Sequence, residues 1–197
     1  MVERLLLGIG QCGIDIVDNV SRDLSLPTAA VDLDKYALHA SDAERTVYVK
    51  ESGGGVVGEG FKIDHQIDLD SIEQLKDMLE PFDVVYVISA LGGRAGGVLM
   101  PAVVKLALKM GKRVNGKIIL PFETEESRRR IAELYLDTVR ELFTEIDVYD
   151  NHEYVQQADG DIDMDSIHSL QSIFEEVNRD ILREIQSDIV YRRERQR

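Results

Sequence analysis

Between Asp83 and Leu108 the chain reads DVVYVISALGGRAGGVLMPAVVKLAL, a buried-type strand that passes through a cluster of glycines directly into a helix. That order places backbone N–H groups and the positive end of a helix dipole at one point. Anions, phosphates above all, bind at such points. The feature also restricts the fold, because a strand feeding a helix without a hairpin belongs to a sheet whose strands run parallel.

The rest of the chain keeps that alternation. Strands are predicted at Arg4–Gly8, Ala29–Val31, Thr46–Val49, Asp83–Ser89, Lys117–Leu120 and Ile146–Tyr149. Helices are predicted from about Gln11 to Leu24, near Ser71–Leu79, from the glycine cluster to about Met110, near Glu125–Phe143 and near Ser166–Val190. Connections of this length call for an α/β fold, a three-layer, Rossmann-like and mostly parallel sheet with helices on both faces and ligands at the carboxyl ends of the strands. A chain of 197 residues is enough for one such domain, so a single domain over residues 1–197 is expected.

Charge narrows the partners. Asp and Glu outnumber Lys and Arg 37 to 23, a net charge of −14 that disfavours nucleic-acid backbones and anionic membrane surfaces. No apolar run approaches the length of a membrane span, and Glu3 and Arg4 interrupt the start. The single cysteine, Cys12, leaves no internal disulfide and fits a reducing compartment. A cytoplasmic protein is expected.

A second glycine turn, LLLGIGQCGIDIV, also follows a strand and opens a helix. Gly8, Gly10 and Gly13 fit the dinucleotide fingerprint of nicotinamide enzymes, and Asp32 stands about where that fold holds a ribose. On spacing alone, a nicotinamide-dinucleotide enzyme stays open.

Further segments, in the same order, carry a more specific likeness. GIGQCG resembles the first nucleotide loop of tubulin, and AVDLDKYAL resembles the second-strand segment of FtsZ. SGGGVVGEG (Ser52–Gly60) is similar to that family's third phosphate loop, and DVVYVISALGGRAGGVLMP occupies the place of its GGGTGTGxxP signature, ending at Pro101. PFETEESRR (Pro121–Arg129) resembles the FtsZ segment PFxxExxxR, and VYDN ends in an asparagine where the family places a guanine-binding one. In the last helix, Phe174 and Asn178 repeat an aromatic-x-x-x-Asn pair on one face.

The resemblance to the FtsZ/tubulin nucleotide-binding domain implies a GTP or GDP site, with Mg2+ accompanying the triphosphate. Carried over position by position, the site comprises Gly10, Gln11, Cys12, Asp15, Asp32, Gly54, Gly55, Gly92, Gly93, Arg94, Ala95, Gly96 and Gly97. Glu125 at the ribose, Arg129 by the nucleotide, and Asn151, Phe174 and Asn178 at the base complete it. An aromatic face supplies stacking, and a carboxamide can both donate to and accept from a purine edge. The implied partners are a second copy or a longer FtsZ/tubulin homologue.

Three departures qualify that implication. The signature reads Gly92-Gly93-Arg94-Ala95-Gly96-Gly97-Val98, so both threonine hydroxyls are missing and a guanidinium replaces a glycine. Arg94 either neutralises phosphates with its planar fork or closes the loop by its bulk. Asp15 replaces a guanine-contacting Asn or Gln. The sequence stops at SDIVYRRERQR, before the family's catalytic acidic loop and second domain. Slow or partner-dependent GTP hydrolysis is therefore expected, and a degenerate, non-hydrolysing regulator or cap of an FtsZ/tubulin-type filament is the alternative.

Plainer readings stand beside these. Cys12 fits as a small packing residue. His39, His65, His152 and His168 have no ligand spacing, and no metal site is expected. DGDIDMD (Asp159–Asp165) lacks the Gly and Glu of a calcium loop and reads as a solvated loop with Asp165 as a helix cap. Of Arg128, Arg129 and Arg130, only Arg129 is assigned a function. The basic tail Arg192–Arg197 complements a helix C-terminus. Phe174 equally fits a core stripe with Ile173, Val177, Ile181 and Ile185.

Overall fold

The computed structural model describes residues 2–50, 67–157 and 166–194, with side chains of the last helix described through Tyr191. The loop carrying Gly54 and Gly55, residue His65, the acidic run Asp159–Asp165 and the side chains of Arg192–Arg197 lie outside the described residues.

Six strands form one parallel sheet: β1 (Arg4–Ile9), β2 (Thr28–Asp32), β3 (Arg45–Tyr48), β4 (Val84–Ala90), β5 (Arg113–Leu120) and β6 (Glu145–Asp150). Their order is β3-β2-β1-β4-β5-β6. The chain builds outward from β1 in one direction and then returns to build β4, β5 and β6 on its other side. That reversal opens a crevice at the carboxyl ends of β1 and β4, the place where parallel α/β sheets hold ligands.

Seven helices flank the sheet among the described residues: α1 (Gly10–Val20), α2 (Lys35–Ala40), α3 (Leu69–Leu79), α4 (Met100–Lys109), α5 (Glu126–Arg140), α6 (Asn151–Gln157) and α7 (Ile167–Glu194). A 3-10 turn, Ser21–Asp23, extends α1, and a wide π-helical turn, Ala95–Leu99, leads into α4. The period-2 alternation of strand residues divides the core in two. Leu5, Leu7, Val85 and Val87 pack with α3, α4 and α5. Leu6, Tyr86 and Ile88 pack with α1 and with Val177, Ile181 and Ile185 of α7.

The expected three-layer α/β fold is therefore present, with different boundaries. β5 begins at Arg113 rather than Lys117, because Asn115 and Gly116 continue the strand. Gly116 is required there: a Cβ on it would lie 2.8 Å from the Phe143 ring. Helix α5 ends at Arg140, short of Phe143, while α7 runs past Val190. Helices α2 and α6 were not expected. Among the described residues no helix is long and apolar enough to cross a membrane.

Candidate functional site

Both glycine turns lead from strand ends into the crevice. In the first, Gly10 has φ 76° and opens α1, whose N-terminus has no side-chain cap and no acidic residue in its first turn. The π turn after Arg94 is likewise uncapped and free of acids. Side-chain caps occur at two other helices, where Asp34 accepts the Tyr36 N–H at the start of α2 and Asp68 accepts the Ser71 N–H at the start of α3, while α5 also starts without one. The first N–H groups of a helix need an acceptor, and at the two glycine turns no side chain supplies one at the cap position. The two turns touch. A Cβ on Gly10 would stand 2.7 Å from the Ala95 Cβ. Gly92, with φ 89°, brings the second turn against α5, since a Cβ there would meet the Arg128 carbonyl oxygen at 2.5 Å.

Beside this junction lies a cleft of about 540 Å³. Gln11, Cys12 and Asp15 of α1 form one wall, Leu91, Pro121 and Phe122 the floor at the strand ends, and Glu125 and Arg128 a second wall. Asn151, at the start of α6, and Phe174, Val177 and Asn178 of α7 close the far end. Phe174 is 45% exposed, whereas Ile173, Val177, Ile181 and Ile185 are 2% exposed or less. The core-stripe reading of Phe174 thus fails, because its ring turns into the cleft and meets Phe122 only at a tilted 5.8 Å contact. Asn151 is buried, yet its Oδ1 has no hydrogen-bond partner. A buried carboxamide oxygen left so is costly unless a ligand satisfies it.

The polar groups of the walls are partly spoken for. Gln11 donates to Asp15 at 2.6 Å. Desolvation raises the Asp15 pKa, and the Gln11 hydrogen bond offsets part of the shift. Burial, then the Asp15 charge, push the Cys12 thiol up to about 11, so it is a neutral packing group at physiological pH. Arg128 donates to Glu125 at 2.5 Å.

Not every expected residue lines this cleft. Asp32 is buried and its carboxylate accepts the N–H groups of Leu33 and Asp34. Arg129 turns away from it, donating through both guanidinium ends to Asp150 at 2.6 and 2.7 Å, to the Pro121 carbonyl and to Glu133. Burial acts against ionisation of Asp150, but the bidentate Arg129 and the His152 N–H outweigh it and hold the carboxyl below its usual range. Its neighbour Arg128 lines the cleft instead. Three consecutive arginines carry no signal that separates them; only the fold, by pairing one with Asp150, does so.

A family model, Tubulin/FtsZ family, GTPase domain, matches residues 3–159. The chain belongs to this family. The cell division protein FtsZ 1 of Pyrococcus woesei is 29% identical over 132 residues, covering 63% of this chain and 35% of that protein. FtsZ 2 of Haloferax volcanii is 30% identical over 128 residues, 64% of this chain and 32% of the relative. The chain thus spans about a third of the length of these relatives. Among solved structures, an empty FtsZ dimer from M. jannaschii superposes with a TM-score of 0.74 at 17% identity, covering 92% of this chain and 54% of that one. TubZ of the Clostridium botulinum phage c-st gives 0.64 at 17% identity, with 93% and 59% covered. At these identities the structures establish the fold.

Proposed function

We propose that this Tubulin/FtsZ-family chain binds a guanine nucleotide in the cleft and serves as a cytoskeletal or cell-division GTP-binding protein whose hydrolysis is slow or partner-dependent. The observation that carries the reading is the buried, unpartnered Oδ1 of Asn151, a residue that lines the cleft together with the half-exposed Phe174 ring and Asn178. A guanine edge offers N–H donors to such an oxygen, while its face stacks on the ring. Gln11, Asp15 and Glu125 border the remaining sugar and base positions. The phosphates belong at the uncapped starts of α1 and of the π turn, around Gly10, Gly93, Arg94, Ala95, Gly96 and Gly97, with Gly54 and Gly55 assigned there by resemblance alone.

Among the described residues no group of three or more His, Cys, Asp or Glu side chains could hold a metal. By resemblance to the family, a Mg2+ ion would accompany the triphosphate. Isothermal titration of the purified protein with GTP, GDP, ATP and NAD tests the reading. Saturable binding of the guanine nucleotides, with ATP and NAD at least roughly tenfold weaker, is expected. No guanine-nucleotide binding up to millimolar concentrations would sink it.

A second reading, a non-hydrolysing regulator or cap of an FtsZ/tubulin-type filament, is favoured by the second turn itself. Ala95 places a methyl against Gly10, and position 97 has no side chain, so neither brings a hydroxyl to the phosphates. Adding the protein to an assembling longer homologue separates the two: filament shortening with no added GTP turnover favours the cap, and added turnover favours the GTPase.

A further inference from the structure

The two edges of the sheet differ. β3 presents four residues, whereas β6 presents six, Glu145–Asp150, paired with β5 on one side and with no strand on the other among the described residues. Beside β6 run two adjoining grooves of about 640 and 520 Å³, which share Ile146, Asp147 and Glu184, the second reaching over β5 at Asn115 and Lys117. Helix α7 supplies their outer wall, with Asp180, Glu184 and Asp188 four residues apart on one face. An open edge strand beside a groove is a template for another strand.

Two residues that line these grooves each hold a buried side-chain oxygen with no hydrogen-bond partner. The oxygens are the Tyr149 hydroxyl and Asn115 Oδ1, on residues only 6% and 4% exposed. Both belong to groups that folded proteins seldom leave unsatisfied. Glu145, Asp147, Asp180, Glu184 and Asp188 line the grooves against Lys117, Arg140 and Arg183, and Glu145 is paired with Arg113. Several of these charges are already used. Lys117 pairs with Asp147, Arg183 with Asp180, and Asp188 accepts from Tyr86 at 2.7 Å. Glu184 is exposed and makes no hydrogen bond or ion pair among the described residues. Burial, then Asp147 and Glu184, raise the Tyr149 pKa, so its hydroxyl keeps its proton as a donor.

We propose that β6 and α7 form a seat for an extended, basic segment of a partner protein, which adds to the sheet as a further strand. Its Lys or Arg side chains would meet Glu184 on the exposed outer wall, and its backbone would pair with the open edge of β6. A second copy of this chain fits less well, because EIDVYD carries no basic residue to bring to Glu184 and, paired antiparallel about its centre, sets Glu145 opposite Asp150 at both ends. The seat is separate from the nucleotide cleft, with which it shares no lining residue.

The test uses the full chain and a fluorescent seven-residue peptide alternating Lys or Arg with Val. Controls are the same peptide with Glu for each basic residue, and two peptides N-methylated at alternate backbone nitrogens, one for each register. Saturable binding is expected, weakened roughly tenfold by Glu184→Arg and by N-methylation in one register. Amide shifts should concentrate in Glu145–Asp150, with GTP titration unchanged by Glu184→Arg. The proposal is overturned by equal binding of the acidic peptide, by indifference to N-methylation in both registers, or by no saturation at concentrations on the order of 1 mM. A concentration-dependent dimer that protects the β6 amides without any peptide would overturn it too, in favour of self-pairing.

Discussion

The two glycine turns follow one plan and are constrained differently. In the first, the helix is regular from Gly10 onward, and Gly13 lies so close to β4 that a Cβ would stand 2.1 Å from the Ile88 carbonyl oxygen. In the second, the chain makes a wide π turn before Pro101, which has no N–H to continue the ladder. There Gly96 is as tightly held, 1.9 Å from the Ala90 carbonyl by the same measure, but a Cβ on Gly93 would meet nothing within 4 Å. The departures from the family signature spare the two most tightly held glycines, although open Gly93 is kept as well. Gly92 and Gly96, fixed by backbone contacts, are kept, while Arg94 is exposed and position 97 has ordinary space toward Tyr135 at 3.8 Å. Backbone packing at Gly92 and Gly96 holds the turn's shape.

The strongest way to break this comparison is a matched set of alanines. Gly13→Ala and Gly96→Ala each drive a methyl into a backbone carbonyl that cannot step aside, and each should cost about 3 kcal/mol of unfolding free energy. Gly93→Ala should stay within about 0.5 kcal/mol. Urea denaturation read by circular dichroism checks all three, and a large loss at Gly93 would undo the contrast.

Next in size is the anchor beneath the second turn. Arg129 and Asp150 tie α5 to the end of β6, and α5 in turn lies close against Gly92 at the Arg128 carbonyl. Asp150→Ala leaves the guanidinium without its bidentate partner. The loss should be about 2 kcal/mol, below the range for fully buried pairs because both side chains keep some exposure. Because the Asp150 pKa is lowered on folding, its contribution is present above the unfolded value near 3.9 and is lost as pH falls through the folded value. The wild-type protein should lose stability over that acid range more steeply than Asp150→Ala. Parallel curves would remove the anchor from the account.

Nucleotide affinity supplies the third test. Asn151→Ala removes the unpartnered carboxamide and should weaken GTP binding by roughly tenfold while leaving stability unchanged or slightly higher, since a buried unsatisfied oxygen disappears with it. Unchanged affinity would move the base elsewhere in the cleft.

The sheet and the helices that cover it were legible because their apolar patterns are long and their glycines punctuate them. What escaped was short or polar. Helix α2 is six residues secured by the Asp34 cap, and α6, NHEYVQQ, has almost no apolar periodicity. The start of β5 was hidden by Asn115 and Gly116, which read as a turn until Phe143 is seen packing over the glycine. At the site, Phe174 and Asn178 could be paired from helical spacing, but whether Phe174 faced core or cleft depended on the rotation of α7 against the sheet. The choice between Arg128 and Arg129 depended on Asp150, a residue 21 positions away from Arg129.

Arg94 gives the smallest expected effect and the sharpest chemical one. Its side chain stands exposed beside open Gly93, at the mouth of the π turn. If the guanidinium binds phosphate there, Arg94→Ala should weaken GTP binding by roughly fivefold, and the variant's affinity should depend less on salt. GDP, with one phosphate fewer, should lose less than GTP. The opposite result, tighter binding of both nucleotides at every salt concentration, would mean that the side chain obstructs the loop. The second turn would then be a closed remnant of the first turn's plan, and the filament-cap reading would gain over the GTPase.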